Sequence, residues 1–196
     1  MKQLKSNHLK FQLSLRAGVL AGLLAAAALS RLVPHPANFA PIGAMALFGA
    51  AYYRRRLWAF AIPVAAMWLS DLLLNNVVYA AFFDRFIWFY DGAFFTYGAF
   101  ILIAIVGRML LTGIAIPNLL AAAVSASALF FVVSNLGVWW SSGMYPLTAA
   151  GLQACYAAGL PFLGNTLAGD CFYTALLFGL FELTVRRFPA LNVRRA

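Results

Sequence analysis

A chain of 196 residues that is 64% hydrophobic and only 10% charged departs from soluble domains, where about 25% of residues are charged. Its formal charge of +9 points first to nucleic acid, but in so apolar a chain an excess of Lys and Arg is expected on the cytoplasmic side of a membrane. Six crossings of about 20 residues consume most of the length, which leaves one transmembrane domain, 1–196, and excludes a separate soluble catalytic domain.

The bilayer offers the backbone no water, so the long, unalternating apolar runs are expected to be helices rather than barrel strands. Helix one is predicted over 16–33. Lys2, Lys5 and Lys10 ahead of it and the small residues near Ala26 to Ser30 resemble a signal sequence. The apolar run 17–33 is nevertheless long enough to span, and it is read as retained. After the Pro34-His35-Pro36 break, a short helix two covers 39–53. Helix three covers 57–74, with a kink expected at Pro63. The run 92–133 is too long for one crossing; Arg108, Gly113 and Pro117 divide it into helix four, 92–110, and helix five, 117–134. The segment 136–164 is expected to form an outer cap whose stretch 147–158 is too short to span and reads as an interfacial or re-entrant helix. Helix six covers 166–185, with Asn165 or Thr166 as the expected cap. The fold class is therefore all-α and polytopic, with six transmembrane helices.

Charge assigns the sides. Lys2, Lys5, Lys10, Arg16, Arg54, Arg55, Arg56, Arg108, Arg186, Arg187, Arg194 and Arg195 fall on one face of this arrangement, and only Arg31 and Arg85 on the other. Cytoplasmic loops retain positive charge, so both termini are expected inside. The expected partner is the lipid bilayer, and nucleic acid drops out.

Candidate polar residues gather near the outer helix ends: Asn38, Asp71, Asn75, Asn76, Asn135, Asn165 and Asp170. A carboxylate inside a membrane is costly unless it faces protein or a wet cavity. Asp71 and Asp170 are thus either ligand anchors or members of a structural ion pair or helix cap, with Arg31 as the natural partner. Two outer segments add aromatic rings. The segment 75–91 carries Tyr79, Phe82, Phe83, Phe86, Trp88, Phe89 and Tyr90, and the later one carries Trp139, Trp140, Tyr145 and Tyr156. Such rings form either the walls of a small-molecule site or the aromatic belt of a membrane interface. The candidate substrate-binding set is Asn38, Asp71, Asn75, Tyr79, Trp88, Asn135, Trp139, Trp140, Tyr145, Asn165 and Asp170. In helix one, Ala17, Ala21 and Ala25 recur every four residues beside Gly18, Gly22 and Ala26. That pattern suits close helix approach, either within the chain or against a partner subunit.

Catalytic chemistry finds little support. His8 and His35 have no metal-ligand partner at helical spacing, and Ser70-Asp71 has no His nearby in sequence. Cys155 and Cys171 read as free thiols. A GxxxxGK[ST] phosphate loop is missing, so ATP hydrolysis is not expected of this chain. No catalytic residue, metal site or cofactor is assigned, and the chain is not read as an enzyme.

Three segments carry a family resemblance: Arg31-Leu-Val-Pro-His-Pro-Ala-Asn-Phe-Ala-Pro-Ile-Gly-Ala-Met-Ala-Leu-Phe-Gly-Ala50, Trp68-Leu-Ser-Asp-Leu-Leu-Leu74 and Gly164-Asn-Thr-Leu-Ala-Gly-Asp170. They look like segments of a family of small bacterial membrane proteins that resembles the substrate-binding S components of energy-coupling-factor vitamin transporters. The resemblance implies six helices in the bacterial cytoplasmic membrane and uptake of a small vitamin-like molecule bound near the outer face. It also implies docking of helix one, here Ala17, Ala21 and Ala25, on a transmembrane coupling subunit driven by ATPases. One solitary relative of this type takes up cobalamin through a cysteine ligand in an outer loop. Segment 75–91 has no cysteine, which leaves Cys155 or His35 as conceivable substitutes. The rival reading is a structural or assembly subunit of a membrane complex.

Overall fold

The computed structural model describes residues 2–53 and 55–191, with side chains from residue 12 onward. Arg54, Arg194, Arg195 and the side chains of Lys2, Lys5, His8 and Lys10, all used above, lie outside the described residues. Six α-helices follow in chain order: α1 (Lys2–Ser30), α2 (Ile42–Tyr52), α3 (Arg56–Leu73), α4 (Ala93–Leu110), α5 (Ile116–Ser141) and α6 (Ala149–Arg187). No strand occurs among the described residues. Among the described residues, five helical stretches are long and apolar enough to cross a membrane: Gln12–Ser30, Arg56–Val78, Ala93–Leu110, Ile116–Ser141 and Ala149–Arg187.

The remaining helix, α2, organises the bundle. Its 11 residues rise about 16 Å, roughly half of a hydrocarbon core about 30 Å thick. Every residue from Gly43 to Tyr52 is buried, as expected for a helix apolar on all sides, and α1, α3, α4, α5 and α6 all pack on it. Glycines permit the closest approaches. A side chain at Gly49 would run into the Pro63 ring and the Ala59 carbonyl of α3, and one at Gly107 of α4 would meet Leu47. Pro63 cannot donate to the Ala59 carbonyl, so α2 covers the weak turn of α3. Rings complete the core, with Phe48 edge-on to Phe178 at 5.4 Å and to Phe181 at 5.8 Å.

Both ends of α2 meet charge from other helices. Asp170 of α6 lies against its N-terminus. At the other end the Arg108 guanidinium of α4 donates to the carbonyls of Ala50 at 3.5 Å and Tyr53 at 3.4 Å. An acid at the start and a base at the end both complement the helix dipole. Beside this second end, Tyr52 donates to Glu182 at 2.6 Å, and Arg16 lies over the Phe181 ring at 5.1 Å while donating to the Leu191 carbonyl at 2.8 Å.

Two expected boundaries require correction. Helix five does not end at 134 but continues to Ser141, so Trp139 and Trp140 stand on its last turns rather than in a connection. The expected interfacial helix 147–158 and helix six at 166–185 are one helix of 39 residues. Polar residues near those expected ends satisfy themselves without ending a helix. Ser134, Asn135, Ser141 and Thr166 each donate to the carbonyl four residues earlier. Neither Asn165 nor Thr166 caps α6, and Thr148 does so instead, accepting from the Gly151 N–H at 3.2 Å. Pro161 lies inside the helix, where it removes one donor that the continuous turns on either side tolerate.

The small-residue face of α1 is open. Ala17 and Ala25 are exposed and Ala21 partly so, and no atom lies within 4 Å of a side chain added at Gly18 or Gly22. Inside the chain α1 packs through Leu20, Leu24, Ala27 and Ala28 instead. A groove of about 740 Å³ with walls of Ala25, Ala28, Ala61 and Ala65 runs between α1 and α3.

Candidate binding cavity

The loop 31–41 leaves α1, crosses the end of the bundle and delivers the chain into α2. Three contacts with α6 hold it there. Asn165 donates to the Ala37 carbonyl at 3.0 Å. Gly169 lets the backbone of Phe39 and Ala40 come so close that a Cβ would lie 3.1 Å from the Ala40 nitrogen. At the next residue, Asp170 accepts from Ser127 of α5 at 2.7 Å and faces the N–H groups of Gly43 and Ala44 in the first turn of α2. Any side chain at Gly43 would collide with that carboxylate. The stretch Gly164–Asp170 is thus a docking strip for the loop and for the helix that follows it.

The start of the same loop is held from α3. Arg31 pairs with Asp71 at 2.6 Å, with side chains 10% and 5% exposed. It also donates to the Ser70 hydroxyl and, at 3.4 Å, to the Met67 carbonyl. Tyr97 of α4 donates to the second Asp71 oxygen at 2.6 Å. Tyr90 lies close to this cluster outside the helices. Burial raises its phenol above the ordinary value, with the Asp71 charge adding to the rise and Thr96 and Arg31 opposing it.

Between these two anchorages opens a cavity of about 190 Å³. Its polar lining is Arg31, His35, Asn38, Tyr79, Thr166 and Asp170, with Leu74 and Phe130 among its apolar walls. Asn38 reaches it from a left-handed backbone conformation, φ 62°, which Asn tolerates better than most residues. Tyr79 follows a π-helical turn, Leu74–Val78, that ends α3. Asn76 in that turn bridges to segment 79–91, donating to the Ile87 carbonyl at 2.9 Å and accepting from the Ile87 N–H at 2.6 Å.

The cavity takes up four of the eleven residues expected to bind substrate: Asn38, Tyr79 and Asp170 directly, and Asp71 through its pair with Arg31. Asn165 stands behind the loop, bonded to it. Asn135 bonds back to Phe131 and packs against Gly159 at the α5–α6 seam. Trp139 closes the turn between those helices through a bond to the Pro146 carbonyl at 3.0 Å. Trp140 is 61% exposed. Trp88 stacks on Trp68 at 6.3 Å, and Asn75 and Tyr145 are half-buried outside the lining. Sequence reasoning passed over His35 as a lining residue, and over Ser127, Thr166 and Tyr97 as contributors. Ser127 and Tyr97 sit inside apolar helices with no local pattern to mark them, whereas Thr166 was visible within the strip 164–170. Cys155 donates to the Asn135 carbonyl at 3.3 Å and is absent from the lining.

Five apolar helices of spanning length around a short buried helix, with a polar cavity at one end, define a multi-pass helical membrane protein. The chain belongs to DUF6580, a family of unknown function, whose family model matches residues 11–191. No curated protein and no solved structure matches it.

Proposed function

We propose that the protein is a substrate-binding membrane subunit, similar in role to the S components of energy-coupling-factor transporters, which captures a small molecule in this cavity for uptake. One observation carries the reading. The three segments bearing the resemblance, 31–50, 68–74 and 164–170, supply most of the cavity's polar lining and the contacts that hold it open. The excess of Lys and Arg away from the cavity, with Arg16, Arg55, Arg56, Arg108, Arg186 and Arg187 towards the other end of the bundle, supports an outward-facing cavity in a bacterial cytoplasmic membrane with both termini inside. The open face of α1 at Ala17, Ala21 and Ala25 would meet a transmembrane coupling subunit with its ATPases. At about 190 Å³ the cavity lies below the 300–1,000 Å³ of drug-sized sites. That size favours a small solute over a corrinoid.

A second reading, a structural subunit of a membrane complex, draws support from a specific fact. Asp71, Asp170 and Asn165 already spend hydrogen bonds on holding the chain together. Native mass spectrometry of protein released gently from the membrane separates the two. The uptake reading expects a retained small molecule that disappears in Thr166→Leu, which fills the cavity, without loss of the folded state. A wild-type protein that carries no small molecule from its native membrane would favour the structural reading.

A further inference from the structure

We infer that the cavity selects a small organic ammonium ion; this rests on the binding role proposed above. The argument is an inventory of what the polar lining has left to offer.

The donors of Arg31, Thr166 and His35 are committed within the protein, while the Asn38 amide and the Tyr79 hydroxyl, also in the wall, can each donate or accept. The Arg31 guanidinium is charge-matched by Asp71 and directs further N–H groups at Ser70 and the Met67 carbonyl. Thr166 spends its hydroxyl proton on the Phe162 carbonyl at 3.0 Å, which leaves the oxygen lone pairs free. His35 places Nδ1 3.1 Å from the Pro36 carbonyl. A carbonyl only accepts, so Nδ1 carries the proton and, in the neutral ring, Nε2 is an acceptor. Asp170 receives Ser127 and faces two backbone N–H groups, three of about four acceptor positions on a carboxylate.

The charge balance points the same way. Asp71 is paired, whereas Asp170 has no salt-bridge partner among the described residues, and the start of α2 offsets only about half a charge. The cavity therefore has free acceptor positions on Asp170, Thr166 and His35 and an acid without a salt-bridge partner, beside an Asn38 amide and a Tyr79 hydroxyl that can also accept, a setting that favours a cation able to donate hydrogen bonds. A bare metal ion fits less well. No group of three His, Cys, Asp or Glu that could hold a metal occurs among the described residues, and the cavity is far larger than an ion.

The test uses three probes of nearly one shape and different charge: isobutylammonium chloride, isobutanol and sodium isobutyrate. Thermal unfolding of the full chain in detergent is followed at matched ionic strength. A ligand that binds the folded state raises the midpoint, so isobutylammonium is expected to raise it by several degrees over sodium chloride. Isobutanol and isobutyrate are expected to leave it unchanged. The rise should vanish in Asp170→Asn, which keeps the shape of the cap on α2, and shrink in His35→Ala, whose side chain stands in an exposed loop. Persistence of the full rise in both variants would overturn the assignment. Equal or greater stabilisation by isobutyrate or isobutanol would overturn the ammonium class while leaving a binding cavity in place. If no probe stabilises the protein and no molecule is retained from the native membrane, the binding role falls together with the inference.

Discussion

Arg31 and Asp71 show what a charge inside a membrane protein requires. With side chains 10% and 5% exposed, neither is solvated, and each is stable only because the other, Ser70 and Tyr97 surround it. Removing one partner strands the other, so Asp71→Ala is expected to cost about 3–5 kcal/mol, seen as a lower unfolding midpoint. The double variant Arg31→Met/Asp71→Leu should recover much of that loss, because two apolar groups leave no orphaned charge. A double variant no more stable than the single would contradict this account of the pair. Glycines give a sharper comparison. Gly43→Ala drives a methyl into the Asp170 carboxylate and is expected to destabilise by about 1–3 kcal/mol. Gly22→Ala meets open space and should be neutral or gain about 0.5–1 kcal/mol of helix stability. Asp71 and Asp170 were legible in the sequence because carboxylates in apolar runs are rare. Their divergent settings were not, since one depends on Tyr97 and the other on Ser127 and the backbone of α2, all remote in sequence.

Apolar runs located α3, α4 and the start of α5 well, because hydrophobic length is the main constraint on a membrane helix. The same signal failed where polar residues lie inside a helix. Asn135, Ser141 and Thr166 bond to their own backbone four residues back, and such pairing leaves no trace in composition. Continuity of α6 is directly measurable. Spin labels at positions 150 and 186 should lie about 54 Å apart for an uninterrupted helix at 1.5 Å per residue, less a little for bending at Pro161. A separation below about 40 Å would restore the broken, re-entrant arrangement. For α2, short and wholly buried, stability is supplied from outside. Loss of the Arg108 guanidinium in Arg108→Met is expected to cost about 0.3–1 kcal/mol, a modest effect because its two contacts, 3.5 and 3.4 Å, are long. An unchanged midpoint in that variant would remove Arg108 from the account of how α2 is held.

The molecule as a whole divides its charge. Four of its five acids, Asp71, Asp84, Asp91 and Asp170, belong to the cavity end, while Arg16, Arg55, Arg56, Arg108, Arg186 and Arg187 stand towards the other end. Under the positive-inside rule that asymmetry predicts an orientation for the bundle, and the orientation decides whether the cavity serves uptake. His35 lines the cavity from an exposed loop, and Arg55 stands in the loop at the opposite end of α3. In a background lacking Cys155 and Cys171, single His35→Cys and Arg55→Cys variants can be treated in intact cells with a thiol reagent that does not cross membranes. An outward-facing uptake cavity predicts labelling of the cysteine at 35 in intact cells and of that at 55 only after the membrane is opened. Labelling of position 55 from outside, with position 35 protected until the membrane is opened, would contradict it.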